Sequence, residues 1–442
     1  MWLKNHCVNI NNYEKEIMNL PKNRGTTEVV IVVDAYSTGK YLPTEIIKRG
    51  FSWLHILSRP NLPNWLTTNN KHNTYLTEIT YQNNLNQLLT QLRGFNIVAV
   101  MAGTETSIEL TEQLAQALDL PGNNPATSYL RRNKFYMIDA VNKAGLYTAK
   151  QYYTDNINKL IQWYQHHFTP GELIVIKPLN SAGTDRVTFC SSIDEISYAA
   201  EQILGKINRL GILNRYVLAQ SFLDGQEYVV NTVSVDSKHH LSDIWRCHKQ
   251  RIKGASFVPG CEVLLPVNGE IQSKLRQYAF NALDVLDFTQ GPAHFEIMLT
   301  VEGPAIIEVG ARIQGGINPS VHLECMGTSQ LIKTVDSYLD PEHFLSYYRN
   351  KKPLKKWSRW ADLIVPASGK VKSFTLIDQL KKLDSFHSVN VNIKPGDYLA
   401  RTVDLYTSPG SIYLVNEDPI KLEDDYLKLR AFEKESYEFI AS

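Results

Sequence analysis

Two apolar runs separated by a short turn each carry one acid in their interior: HFEIML at 294–299 and AIIEVG at 305–310. Glu296 and Glu308 lie equally far from Glu302, beside the Glu302-Gly303 turn. If the runs pair as an antiparallel hairpin, the two acids sit roughly opposite each other. Side chains alternate faces along a strand, so His294 and Glu296 share one face, as do Glu308, Gly310 and Arg312. The same register puts all five on one face of the sheet. A carboxylate buried between Ile and Val is costly unless it is paired or holds a cation. Two that face each other repel unless a proton or cation lies between them. The hairpin therefore reads either as a half-exposed face with a cross-strand Arg–Glu pair or as a charged site. Magnesium, which takes carboxylate oxygens together with substrate phosphates, suits the second reading.

The flanking sequence supplies a framework. EVVIVVDAYSTGKYLPTEIIKRG predicts a buried strand ending at Asp34, a polar loop, and a helix running on to Gly50. WLHILS is a second short strand, residues 85–93 a helix, FNIVAVMAG another buried strand, and SIELTEQLAQALDL a helix that stops before Pro121-Gly122. Strands alternating with helices predict a parallel α/β domain over about residues 26–125. Ligands of such sheets gather at the carboxyl ends of strands, here DAYSTG and GTET.

Next, RRNKFYMIDAVNKAGL reads as an amphipathic helix ending at Gly145. ELIVIKPLNSAGTDRVTFC reads as strand, polar loop, strand, and DEISYAAEQILGKINRL as a helix. YVLAQSFL and EYVVNTVSVD read as strands joined through Asp224-Gly225, LSDIWRCHKQ as more strand, and IQSKLRQYAFNALDVL as a helix before the hairpin. An α+β arrangement of two sheets with covering helices fits residues 130–345. From about residue 353, SGKVKSFT, HSVNVNIKPGDYL and GSIYLVN are short strands, and a charged helix is expected to end the chain.

Composition narrows the function classes. At roughly 100–200 residues per domain, the 442 residues allow two to four domains. Lys plus Arg number 46 against 45 acids, so long-range charge favours neither nucleic acid nor an anionic membrane. Clusters such as Lys351-Lys352 and Lys355-Lys356 read as solvated surface. Cys7, Cys190, Cys247, Cys261 and Cys325 are scattered, with no C-x-x-C, and form neither a disulfide framework nor a zinc pattern. They read as reduced thiols of a cytoplasmic protein. The stretch MWLKNHCVNINNYEKE lacks the apolar core of a signal peptide, and VVIVV at 29–33 is far too short to span a membrane.

Two further stretches carry chemistry. Lys177 ends an aliphatic strand and precedes the small residues Ser181, Ala182, Gly183 and Thr184. Small residues let backbone N–H groups approach phosphate oxygens, and a lysine beside them adds a point charge. Neither G-x-x-x-x-G-K-[ST] nor G-x-G-x-x-G is present, and a plain Gly-containing hairpin turn is the competing reading. In AQSFLDGQEYVV, an extended segment offers backbone groups to an adenine edge, and Glu227, seven residues after Gln220, is a candidate acceptor for ribose hydroxyls. A plain hairpin with one exposed Glu competes here too.

The order of these parts resembles the ATP-grasp superfamily over about residues 28–345: Lys134 in RRNKFYM, Lys177 with its small-residue loop, a hinge from Gln220 to Glu227, then two acids and an arginine. The resemblance implies an N-terminal parallel α/β (pre-ATP-grasp) domain over 1–125 and a two-part ATP-grasp core over 126–350, with a lid at about 150–220. A small, mainly β C-terminal module over 351–442 would follow. It implies adenine at the hinge near Ser221, Phe222 and Leu223, both lysines directed at phosphates, and Mg2+ (or Mn2+) held by Glu296 and Glu308. Gly310 departs from the pattern, which has Asn there, and Gln220 stands where many members have Glu. GTE near residue 105, LPGN, RRNK and EVGARIQGG look like the L-amino-acid ligases that make dipeptides.

That resemblance implies that ATP converts a carboxylate to an acyl phosphate, which an amine then attacks. Arg312 is placed to hold the reacting carboxylate or the oxyanion. His294 either assists there or is a structural histidine. Glu105 either binds a substrate ammonium group or is a helix N-terminal acid among the capping residues Thr104, Thr106 and Ser107. Amino acids are the expected small-molecule substrates; the resemblance allows a homodimer and leaves the oligomeric state open. Alternatives are another ATP-grasp ligase or a carboxylase, although no biotin-carrier A-M-K-M context occurs, and a nucleotide-binding regulator without turnover.

Overall fold

β1 (Glu28–Val33) is buried at five of its six positions, as a run of β-branched residues covered on both faces should be. It is the inner strand of a parallel sheet with β2 (Ser52–Leu57), β3 (Glu78–Thr80) and β4 (Asn96–Ala102), in the order β3-β2-β1-β4. The computed structural model describes residues 28–67, 74–251, 257–348, 353–391, 393–403 and 407–440. Cys7, the N-terminal stretch and Lys351-Lys352 lie outside the described residues.

One face of this sheet packs on the helices Leu85–Gln91 and Ile108–Ala117. The other packs on the helix Leu42–Lys48 and on Leu331 and Val335 of the helix Gln330–Leu339, from the far end of the core. The single helix expected up to Gly50 is two pieces, a 3-10 turn at Ser37–Tyr41 and then the helix, which starts where Pro43 fits its first turn. The loops after β1 and β4 touch through glycine: a Cβ on Gly103 would lie 2.1 Å from Asp34 O.

A second sheet contains β5 (Gln151–Thr154), β6 (Ile174–Pro178), β7 (Thr188–Cys190) and β8 (Val217–Ser221), ordered β5-β8-β6-β7 and antiparallel. The amphipathic helices Ile157–His167 and Ile193–Ile203 cover it. β9 (Gln226–Val235) follows β8 after a four-residue link but belongs to a different sheet. The simple hairpin reading of AQSFLDGQEYVV is therefore corrected. The link crosses between layers, and a Cβ on Gly225 would lie 2.3 Å from Leu299 O.

The central sheet adds β10 (Lys238–Arg251), β11 (Phe257–Leu265), β12 (Gly291–Leu299) and β13 (Pro304–Gly310), then strands from the last hundred residues. These are β14 (Trp357–Asp362), β16 (Phe386–Val391) and β18 (Gly410–Asn416), in the order β13-β12-β9-β10-β11-β14-β18-β16. β15 (Gly369–Phe374), β17 (Tyr398–Leu399) and β19 (Tyr437–Phe439) form a small third layer. The helix Pro419–Glu435 does not end the described chain, since β19 follows it and pairs with β15. Helices Lys134–Lys143 and Glu270–Val285 pack on the core face of β9, β12 and β13.

Glu296 and Glu308 are direct partners across β12 and β13. The pairing needs one feature beyond equal spacing about the turn. Near the turn the register is Leu299–Pro304 and Ile297–Ile306, which continued unbroken would set Glu296 against Ile307. A one-residue bulge between Glu296 and Ile297 restores the acid pair; bulges commonly re-aim side chains beside functional sites. Four cysteines, Cys190, Cys247, Cys261 and Cys325, are free and buried. Among the described residues no helix is long and apolar enough to cross a membrane.

Candidate active site

A cavity of about 280 Å³ opens between the second sheet and the central sheet. Every residue expected at the nucleotide lines it: Lys134, Lys177, Ser181, Ala182, Gly183, Thr184, Gln220, Ser221, Phe222, Leu223 and Glu227. Both acids of the hairpin line it as well. Sequence separation of up to 174 residues is thus closed by the crossing at 222–225 and by the helix that begins at Lys134. Asn133 caps that helix through its side chain. Lys134 then reaches Ser181 O at 2.7 Å and Glu308 Oε2 at 2.6 Å, joining the small-residue loop to the hairpin.

The loop is unusual in its backbone. Gly183, Thr184 and Arg186 all have positive φ (68°, 57° and 52°). Three left-handed residues within four positions make a tight turn that a non-glycine residue adopts only at some cost, as happens at functional loops. Asp185 steadies the loop, accepting from Ser181 Oγ at 2.8 Å and from Arg209 N at 3.0 Å.

Charge is unevenly satisfied inside. Lys177 is 4% exposed, and burial, followed by the charge of Lys134, pushes its amine down to about 8; Glu308 and Glu296 oppose this only in part. A buried cation left short of negative charge fits a polyphosphate. The two acids have separated in proton affinity. Burial, and then the charge of Glu308, raises Glu296. Burial alone would raise Glu308, but Lys134, Lys177 and Arg312 hold it well below the usual carboxylate range. Paired hard oxygens of this kind fit a divalent cation that also binds phosphate. Among the described residues, no three His, Cys, Asp or Glu side chains enclose an ion by themselves, so phosphate and water must complete any shell here.

Behind the acids lies a second charged layer. Glu105 accepts from Arg312 Nε at 2.9 Å, and Arg132 grips its other oxygen. Burial works against this carboxylate, yet Arg132 and then Arg312 keep it below its ordinary range. Both oxygens are thus taken by guanidinium groups. Glu105 thereby holds Arg312 in place. Of its supposed capping neighbours, Ser107 does contact the Thr104 backbone, whereas Thr106 donates to buried Asp34. His294 is buried, with Nδ1 3.0 Å from Asn231 Oδ1 and Nε2 3.9 Å from Glu296 Oε1.

Several cavity residues escaped the sequence reading. Lys249 of β10 pairs with Glu227 at 2.5 Å, so Glu227 is already engaged by a cation. Glu262 of β11 is pushed up to about 8 by burial, with Asp362 of β14 adding to the effect and Lys249 opposing it. Trp360 closes that end, and a Cβ on Gly316 would lie 2.7 Å from its ring. No local pattern marks these positions, since they meet only through the register of β10, β11 and β14. Arg132 was visible in RRNK, but its neighbour Arg131 is equally basic. Only the fold separates them, by burying Arg131 against Glu112.

A hinge between two sheets, two lysines at a positive-φ loop and paired acids on the facing hairpin define an ATP-binding ligase core. Residues 132–316 match the ATP-grasp domain family. Along nearly its whole length the chain is similar to dapdiamide A synthase of Enterobacter agglomerans, being 32% identical over 416 residues, 93% of this chain and 97% of that one. The chain belongs to the ATP-grasp family and is an ADP-forming carboxylate–amine ligase. Among solved structures, an L-amino acid ligase from Bacillus licheniformis matches with a TM-score of 0.72 at 18% identity, over 95% of this chain and 100% of that one. A carboxyaminoimidazole ribonucleotide synthase from Aspergillus clavatus, complexed with ATP, matches with a TM-score of 0.67 at 14% identity, over 92% and 99%. At such identities the likeness concerns the fold. Enzymes of this family work with ATP and Mg2+ on small-molecule substrates.

Proposed function

We propose that the protein joins two amino acids into a dipeptide, with ATP converted to ADP and phosphate. The observation that carries this reading is the opposed pair Glu296 and Glu308 in a cavity that also holds Lys134 and Lys177. In this reading adenine lies at the hinge. Ser221 N–H and Phe222 N–H are spent within the sheet, on Lys150 O and Leu173 O, so the base edge addresses Leu223. Lys177, Lys134 and the loop at 181–184 receive the phosphates. Glu296 and Glu308 hold Mg2+ or Mn2+, which when bound offsets charge on the transferred phosphoryl group.

A substrate carboxylate oxygen attacks the γ-phosphorus, the bond to the β-phosphate oxygen breaks, and acyl phosphate and ADP result. The second amino acid's amine attacks the acyl carbon, phosphate leaves with the bonding pair, and the amine's proton passes to phosphate or solvent. Arg312, held by Glu105, offers its guanidinium to the carboxylate and then to the oxyanion. In this reading the loop at 181–185 closes over the bound substrates and keeps water from the acyl phosphate. The buried, unpaired thiols suit a reducing cytoplasm. The direct test is mass spectrometry of products formed from ATP, magnesium and a mixture of all the amino acids, with ADP release measured for each pair. Pair-dependent ADP with a matching dipeptide mass supports the proposal. ADP release that depends on bicarbonate, or tight ATP binding without turnover, rejects it.

A further inference from the structure

Gln220 lines the cavity where β8 runs into the hinge, and Gln151 sits directly across from it on β5. Facing residues of an antiparallel pair project to the same side of a sheet. Here the two amides meet: Gln220 Nε2 donates to Gln151 Oε1 at 3.2 Å. An amide end is a donor or an acceptor according to which way round it lies, and Gln151 has no choice in the matter. Its Nε2 donates to Phe135 O at 2.9 Å, and a backbone carbonyl only accepts. Oε1 of Gln151 is therefore turned to Gln220, and Gln220 must answer with its nitrogen. The anchor is well placed. Phe135 follows Lys134 on the helix Lys134–Lys143, so one turn of helix sets both the lysine that reaches Glu308 and the direction of this amide relay.

What remains of the Gln220 amide is its oxygen, on a side chain only 4% exposed at the cavity wall. Among the described residues no hydrogen-bond donor meets that oxygen. A buried acceptor left without a donor is costly, and an N–H group on a ligand would satisfy it. A glutamate at this position would offer an acceptor whatever its neighbours did. A glutamine does so only when something fixes its amide, and Gln151 is that something. The 6-position of a purine is where the difference is felt. Adenine carries an amine there, a donor, whereas a 6-oxo purine such as guanine carries a carbonyl oxygen, an acceptor.

We propose that Gln151 is a positioning residue that makes the nucleotide site selective for adenine over 6-oxo purines, by holding the oxygen of Gln220 toward the 6-position of the base. The inference rests on the base lying at the hinge. It assigns the selectivity to a residue one strand behind the nucleotide, through the polarity of a single amide.

The test measures dissociation constants of ATP and inosine triphosphate by calorimetry, on the full chain with Mg2+, for the unaltered protein, Gln151→Met and Gln220→Ala. The unaltered protein is expected to bind ATP at least about tenfold more tightly, the cost of setting one buried acceptor against another. In Gln151→Met the Gln220 amide is free to reverse. Inosine triphosphate should then bind more tightly than it does to the unaltered protein, and the ratio should fall toward unity. Loss of packing alone would weaken both nucleotides, so a gain for one of them is a readout that a merely structural role does not give. If Gln151→Met fails to fold, Gln151→Ser, which admits water in place of the amide, reads the same contact. Equal affinities for the two nucleotides in the unaltered protein overturn the proposal. A ratio that Gln220→Ala abolishes but Gln151→Met leaves unchanged overturns the role of Gln151 and keeps the base at the hinge. A preference for ATP that survives both Gln151→Met and Gln220→Ala overturns the role of Gln151 and the hinge placement together.

Discussion

The carboxylate of Glu105 accepts a 2.9 Å hydrogen bond from Nε of Arg312, a residue 207 positions further along the chain. The contact joins the N-terminal parallel sheet to the end of the central hairpin. It sets the direction of Arg312, beside the two acids. Glu105→Gln preserves the shape but removes the charge that both Arg312 and Arg132 depend on. The expected outcome is a fall in kcat of about 10²-fold, as misplacing a positioning group by about 1 Å can produce, with little change in KM for ATP. Steady-state kinetics with saturating amino acids check this; a rise in the KM for ATP with kcat unchanged would place Glu105 at the nucleotide instead.

Glu308→Gln removes the carboxylate that Lys134 holds and that faces Glu296. ADP formation should drop by at least about 10²-fold, the loss typical of removing one preorganised electrostatic contact. Circular dichroism should be unchanged, because the side chain is part-exposed in the cavity and its replacement fits the same space. Near-normal ADP release with amino acids present would remove Glu308 from the machinery.

Lys177 links nucleotide binding to pH. Its ordinary value of 10.5 is pushed to about 8 in the fold, chiefly by burial. Below pH 8 the amine is charged in both folded and unfolded chains, and the fold carries the full penalty, on the order of 3 kcal/mol. Between about 8 and 10.5 the folded amine loses its proton while the unfolded one keeps it, so the penalty fades as pH rises. Lys177→Met should therefore raise the melting temperature of the ligand-free protein at pH 7, and the gap to wild type should close by about pH 10.5. The same change should sharply weaken ATP binding in calorimetry. An unchanged ATP affinity would exclude a phosphate role for Lys177.

The segment at Arg209–Leu210, ahead of β8, touches the stretch that follows β2. Trp65 Nε1 donates to Arg209 O at 3.1 Å, the Arg209 guanidinium lies over the Trp65 ring, and Arg59 donates to Leu210 O. Arg209 N in turn donates to Asp185 of the positive-φ loop. Breaking this contact with Trp65→Ala should let water reach the activated substrate. More phosphate should then be released than peptide formed, with KM for ATP rising severalfold. A phosphate-to-product ratio equal to that of wild type would show the contact to be incidental.

Much of the site was legible in local sequence because each part has a local physical signature. Apolar runs with one acid apiece define strands whose alternation places His294, Glu296 and Glu308 on one face, while Arg312 lies two residues past the end of β13. A lysine closing an aliphatic strand before four small residues marks a loop open to phosphate. Other parts had no such mark. The bulge that brings Glu296 opposite Glu308 changes the register by one residue without any glycine or proline to announce it. AQSFLDGQEYVV has the composition of a hairpin, yet its two strands enter different sheets. One of the helices that cover the N-terminal sheet, Gln330–Leu339, comes from beyond the hairpin.

The amino-acid sequence by itself determined the alternation of strand and helix, the pairing of two acids about one turn, and the set of side chains able to meet a nucleotide. These follow from backbone periodicity and the cost of burying charge, which act over a few residues. Only the tertiary structure decided which charges are already satisfied. It gave Glu105 to two arginines and Glu227 to Lys249, and left Lys177 short of counter-charge. The reason is electrostatic: a side chain's role depends on the desolvation and partners it meets in space, and those partners come from segments that sequence distance keeps apart.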